Sequence, residues 1–297
     1  MTRESPVPAP TPPRDRAVPL GWRWTLASLE RLPQGLLSRG FGRLADLPVP
    51  PSLRKWVLGS FVRLTGIRLE EAARPLDAYG SVNELFVRRL APGLRSWPTD
   101  PLLLASPVDG VAGQMGRIED GTLVQAKGIE YRADELLGEA GAGARYQGGL
   151  FITLYLSPRH YHRIHTPLPG RVVRARHVPG RLLPVNDAAV RSVERLFATN
   201  ERLVAEMETG VGRVAVVAVG ATNVGRISAA FDPEWAGGPG VSVTNRGSPL
   251  PPVRDYPGGV GVEAGEELMA FHLGSTVVLL TEPGLTPVPE LTAGDEV

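Results

Sequence analysis

The chain has 297 residues, of which 42% are hydrophobic and 21% charged, enough for one large or two ordinary domains with a real core. It contains no cysteine, which excludes disulfides, thiolate catalysis and cysteine-ligated metals. A formal net charge of +1 hides an uneven distribution: residues 1–69 hold eleven Lys and Arg against four acids. Such a basic end suits an anionic surface, lipid or nucleic acid, or is simply the solvated face of ordinary helices.

Residues 1–20 hold many Pro and few large apolar side chains and read as a disordered tail. They lack the apolar run of a secretory signal, and no stretch of the chain approaches the ~20 apolar residues of a spanning helix, so any membrane contact is expected to be peripheral. In GWRWTLASLERL, Trp22, Leu26 and Leu29 recur at helical spacing. In SLRKWVLGSFVRLTG, Ser52 is the expected cap, and Leu53, Trp56, Val57, Phe61 and Leu64 form a stripe that largely leaves out Arg54, Lys55 and Arg63. A basic amphipathic helix with Trp on its apolar side fits a membrane interface, and packing onto a core fits equally. SVNELFVRRL (81–90) reads as a short helix begun by Ser81. From about Ser106 short β-rich runs take over: GLFITLYL (149–156), RVVRARH (171–177), RVAVVAVG (213–220) and STVVLLTE (275–282). Residues 187–203 are expected to be helical and 236–258, rich in Gly and Pro, a long surface loop. The sum is an α+β chain: N-terminal amphipathic helices, then a mainly antiparallel, sandwich-like β core. Its expected divisions are a tail (1–20), a helical membrane-associating region (21–98) and a β-rich catalytic domain (99–297).

Three of the five histidines, His160, His162 and His165, crowd into SPRHYHRIHTP behind the apolar run FITLYL. Their spacing allows a metal site, but no acid lies among them and alternate strand residues point to opposite faces. General acid–base work is the better reading, since histidine titrates near neutral pH; the bland alternative is hydrogen-bonded structural histidine. Asp109 sits in a Pro-x-Asp-Gly turn, where aspartate is commonplace for local reasons. Gly274-Ser275 stands at the entrance to an apolar strand near the C-terminus, by itself an ordinary turn.

Taken in order, S-P-V-D-G, Y-L-S-P-R-H-Y-H-R-I-H and F-H-L-G-S-T-V resemble the bacterial phosphatidylserine decarboxylases, with smaller matches at VQAKGIEY (124–131), VPGRLLPVN (178–186) and LFATNERL (196–203). The likeness runs from about residue 50 to residue 282. It implies a self-processing triad of Asp109, His165 and Ser275 and a cut between Gly274 and Ser275, giving alpha and beta chains from one precursor. It further implies a pyruvoyl cofactor made from Ser275 that holds phosphatidylserine as a Schiff base, a part for His162 in decarboxylation, and Tyr155 near the substrate. The implied partners are phosphatidylserine in anionic membranes and a second copy of the two-chain unit, with no nucleic acid; the implied location is peripheral, on the cytoplasmic face of the cell membrane. Two positions depart from the family pattern: His160 replaces an Asp, and His272 replaces a Lys before the cleavage bond.

Lysine chemistry with pyridoxal phosphate has little to work with, since Lys55 and Lys127 are the only lysines and no phosphate-cradling Gly-rich loop accompanies them. Two other readings stay open on the residues alone. A serine hydrolase would use the same Asp109, His165 and Ser275 on an external acyl group, although the G-x-S-x-G elbow is missing. A non-catalytic membrane-surface module would leave the histidines structural.

Overall fold

A computed structural model describes residues 34–100, 102–125, 128–222, 226–235, 244, 252–272, 276–285 and 291–297. The proline-rich tail, the helix expected around Trp22, Leu26 and Leu29, Lys127 and the Gly274-Ser275 pair lie outside the described residues.

Helix α1 (Gln34–Asp46) and helix α2 (Pro51–Thr65) come first. α2 begins one residue before the expected cap: Pro50 is the N-cap residue, and no side chain caps the end. Its fixed backbone, with Pro51 in the first turn, starts the helix without a hydroxyl. Gly66 ends it in the left-handed region (φ 74°), its N–H donating to the Val62 carbonyl at 2.8 Å. The apolar stripe of α2 divides. Phe61 turns inward with Val62 around buried Leu58, Tyr79 and Leu85, while Leu53, Trp56 and Leu64 face outward. Helix α3 (Val82–Phe86) is shorter than the expected ten residues, and Ser81 caps it as expected, its hydroxyl accepting from the Glu84 N–H.

The β region starts with β1 (Val111–Arg117), followed by β2 (Thr122–Val124), β3 (Glu130–Arg132), helix α4 (Ala133–Leu137), β4 (Leu150–Tyr155), β5 (Arg163–His165) and β6 (Gly170–Val178). Residues 187–203 are not one helix. They form α5 (Asp187–Val190) and α6 (Leu196–Thr199), separated by Arg195 at φ 53°, and the last residues already enter strand β7 (Arg202–Thr209). Only two short turns stay helical because LVAEMET pairs into the sheet, a tertiary contact that outweighs local helix preference. After β8 (Gly212–Val219) and β9 (Ile227–Ala229), strand β10 (Val253–Val262) occupies the end of the expected 236–258 loop, pairing with β6. Strands β11 (Glu267–Phe271) and β12 (Thr276–Thr281) follow.

The strands form a seven-stranded sheet in the order β1-β4-β12-β8-β7-β6-β10, a three-stranded sheet β5-β11-β9 and the pair β2-β3. All named pairings are antiparallel. Alternation along the pleat sends Val277 and Leu279, with Val214, Val216 and Ala218, toward the three-stranded sheet, where Ile164, Leu268 and Phe271 meet them. Val278 and Leu280, with Ala215, Val217 and Val219, face the opposite layer, built from Leu136, Tyr146 and Phe197. Both faces are therefore dry, which explains the uninterrupted apolar runs of β8 and β12. The sandwich-like expectation holds, with a third, helical layer behind the large sheet.

Candidate active site

Tyr155 is the rung on which the distant motifs meet. It pairs with Val111 of β1 on one side and with Thr276 of β12 on the other. The Asp109 turn leads into β1, and Gly274-Ser275 immediately precedes β12 in sequence. The turn is drawn tightly against β4: a Cβ at Gly110 would stand 2.8 Å from the Tyr155 carbonyl oxygen, so only glycine fits. The histidine motif arrives through β5, where His165 pairs with Glu267 of β11 and donates its backbone N–H to the Pro107 carbonyl at 2.8 Å.

Asp109, His165, Tyr161, Arg95, Trp97 and Gly265 line a cavity of ≈ 490 Å³. His165 Nδ1 donates to the Gly265 carbonyl at 2.7 Å, which leaves Nε2 as the acceptor, 3.1 Å from the Tyr161 hydroxyl. The Tyr161 and Trp97 rings lie 5.5 and 5.4 Å from the imidazole centroid. Burial pushes the His165 pKa down, so the ring is a neutral base at neutral pH.

Asp109 and His165 line the same cavity with different hydrogen-bond partners. Asp109 is taken by Arg95, Nε to Oδ1 at 2.8 Å and Nη2 to Oδ2 at 2.5 Å, and Arg95 also reaches Glu71 at 3.0 Å. A planar guanidinium offers a carboxylate two charge-assisted bonds at once, more than an imidazole can offer. The Gly265 carbonyl orients His165 instead, and Asp109 acts on it as a nearby charge across the same cavity.

His162 is wholly buried, with the Phe86 ring 4.0 Å away between centroids. Its Nδ1 donates to the His160 carbonyl at 2.9 Å, and Nε2 has no partner among the described residues. Burial, helped by the Arg88 charge, pushes its pKa down to about 3. The resting ring is therefore neutral. His160 closes the turn ahead of it, Nδ1 accepting from the Ser157 N–H at 3.1 Å. The three histidines thus have separate partners, and among the described residues no three metal-capable side chains converge. Tyr155 is half-buried, and burial raises its pKa, keeping the phenol neutral.

Sequence reasoning missed Arg95, Trp97, Tyr161 and Phe86. Tyr161 lay inside the quoted motif without a reason to single it out. Arg95 and Trp97 sit in an irregular stretch whose approach to the cavity no periodicity announces.

The family model described as phosphatidylserine decarboxylase matches residues 82–297. A phosphatidylserine decarboxylase proenzyme of Anaeromyxobacter sp. (strain K) is 47% identical over 273 residues, 92% of this chain and 94% of that protein. A proenzyme of the same name from Myxococcus xanthus (strain DK1622) is 42% identical over 86% of this chain and 88% of its own length. Another from Stenotrophomonas maltophilia (strain R551-3) is 39% identical, with 91% and 94% covered.

Proposed function

The chain belongs to the phosphatidylserine decarboxylase family, and from that premise we propose that it converts phosphatidylserine to phosphatidylethanolamine and carbon dioxide, using a pyruvoyl group that it makes from Ser275 by cutting itself after Gly274. One observation carries the proposal: the Asp109 turn and the start of β12 flank the same residue, Tyr155, while the neutral base His165 is tied to that turn through Pro107.

In the self-cleavage, His165 Nε2 accepts the Ser275 hydroxyl proton as the oxygen attacks the Gly274 carbonyl carbon. The C–N bond breaks as the C–O bond forms, and the proton passes to the freed amine. Being covalent neighbours gives the two groups their proximity. Removal of the Ser275 α-proton then expels Gly274 as a carboxylate and leaves dehydroalanine; water replaces its nitrogen, released as ammonia, to give the ketone. The Arg95–Asp109 pair keeps a carboxylate beside the base throughout. The resulting large chain, 1–274, and small chain, 275–297, stay joined, because β12 lies between β4 and β8 and the Val297 and Gly110 backbones exchange hydrogen bonds at 3.0 and 3.1 Å.

Two observations suit a carbonyl-bearing terminus: among the described residues the Thr276 hydroxyl, one residue after the proposed cut, and His162 Nε2 are buried polar atoms without partners. A pyruvoyl group there would supply an electrophilic carbonyl for the substrate amine and a sink for the electron pair left by carbon dioxide. His162 takes up a proton at Nε2 and returns it to the substrate α-carbon; an imidazole so easily deprotonated is a strong acid once charged. Tyr155 offers a neutral hydroxyl on the substrate side.

Residues 21–98 are read as the membrane-associating part and 99–297 as the catalytic part. Leu36, Phe41, Leu44, Trp56 and Leu64 are exposed on α1 and α2 beside exposed Arg43, Lys55 and Arg63, an arrangement that supports peripheral binding to the anionic cytoplasmic face of the cell membrane. No helix among the described residues is long and apolar enough to cross a membrane. Pairing of two such two-chain units belongs to the same reading. The test is carbon dioxide release from phosphatidylserine vesicles by the purified protein. The wild type is expected to turn over and Ser275→Ala to release none; equal activity in both overturns the proposal.

A further inference from the structure

His272 is the last described residue before the bond assigned to self-cleavage, and it is 7% exposed. Three contacts fix it. Its backbone N–H donates to the Arg226 carbonyl at 2.9 Å. Nδ1 lies 3.2 Å from Asn83 Nδ2, and Nε2 lies 3.0 Å from the Ser228 hydroxyl. The Asn83 amide nitrogen can only donate, so Nδ1 accepts and Nε2 carries the hydrogen that Ser228 receives. A neutral ring satisfies both partners at once, and a lysine ammonium, the residue of the family pattern, has no acceptor lone pair to give Asn83.

The partners come from far apart. Asn83 is 189 residues away on helix α3, and Ser228 lies on β9, the strand beside β11. The same short helix also places Phe86 against the His162 ring, and the Phe271 N–H donates to the His162 carbonyl at 2.9 Å. Helix α3 therefore touches both the segment leading to the cleavage bond and the histidine assigned to turnover. Behind it, Arg226 is itself anchored to α1, bonding the Asp46 carboxylate and the Gly42 carbonyl.

We propose that Asn83, His272 and Ser228 form a neutral clamp that positions the segment before Ser275 for self-cleavage, with His272 and Asn83 as positioning residues. This rests on the reading that the chain cuts itself after Gly274. The clamp acts on a bond that no longer exists in the mature protein, so its loss slows maturation and leaves the matured enzyme's turnover nearly intact. A residue needed only for folding would depress both.

The experiment follows precursor decay on gels during cell-free synthesis of the full-length chain. It compares wild type, Asn83→Ala, Ser228→Ala and His272→Phe, which keeps ring volume and removes both side-chain bonds. Displacing a reacting segment by about 1 Å costs up to ~10²-fold, so Asn83→Ala and His272→Phe are expected to slow cleavage about 10- to 100-fold. Carbon dioxide release per pyruvoyl group should stay within about threefold of wild type, a margin well below that cost. The Asn83→Ala/His272→Phe double variant should be little slower than the worse single one, because both remove the same bond. Melting curves on a Ser275→Ala background identify any variant that fails to fold; Ser228→Ala, the mildest change, then carries the test. Wild-type cleavage rates in folded variants, or equal losses of cleavage and per-pyruvoyl turnover, overturn the clamp. A wild-type chain that never cleaves overturns the reading beneath it instead.

Discussion

Strand β12 buries all six of its residues, whereas helix α2, with fifteen, buries only Leu58. Both read as apolar in sequence, yet they solve different problems. β12 lies inside the sheet, and its alternate side chains enter two separate cores. α2 uses one side for a small cluster and leaves Trp56 73% and Leu64 87% exposed. An apolar strand with two dry faces finds all its partners within the chain. Among the described residues the outward face of α2, with its neighbour on α1, does not, and a lipid surface is the partner proposed for it.

The comparison is sharpest where the regions touch, at Phe86 and His162. His162→Ala is expected to lower turnover about 10²–10⁴-fold, the usual worth of a general acid or base, while self-cleavage continues. His165→Ala should instead accumulate the uncut chain. Gels for cleavage and carbon dioxide release for turnover, on the same preparations, separate the two; parallel losses in both variants would erase the division of labour.

Stability should divide in the same way. Leu279→Ala opens a cavity in the two-sided core and should cost about 2–5 kcal/mol in urea unfolding. Trp56→Ala should change stability by no more than ~0.5 kcal/mol yet weaken sedimentation with anionic vesicles, an effect that shrinks as salt rises. If Trp56→Ala destabilises the chain as much as Leu279→Ala, the outward face is not waiting for a partner.

Acid should act on the buried histidines. Burial pushes His162 down to about 3 and His272 down to about 4, both below the ordinary 6.5. The folded rings therefore stay neutral while the unfolded ones take protons. The stability they confer is complete above pH ~6.5 and is lost progressively as pH falls toward 4 and then 3. The melting temperature of uncut Ser275→Ala should decline between pH 6.5 and 4.5, before most carboxylates protonate. A flat profile there contradicts the neutral assignments.

Much of this could be read from residues alone. The runs FITLYL, RVAVVAV and TVVLLT announced strands because few other arrangements bury so many β-branched side chains. Helix 187–203 failed because local pattern cannot see that residues 202–209 pair with β6 and β8. The site was legible as three motifs, since each carries chemistry in adjacent residues. Its internal wiring was not. That Arg95 holds Asp109, that a carbonyl at Gly265 orients His165, and that Asn83 reaches His272 all depend on contacts between segments far apart in the chain.

The central claim is that the chain converts its own Ser275 into a pyruvoyl group, and intact mass measurement of the purified protein tests it most directly. The account predicts two species, residues 1–274 and residues 275–297, the second blocked at its N-terminus and lighter than a serine-started fragment by the mass of one ammonia. A single uncut chain that still decarboxylates phosphatidylserine, or a small fragment that begins with an unmodified serine, would contradict it.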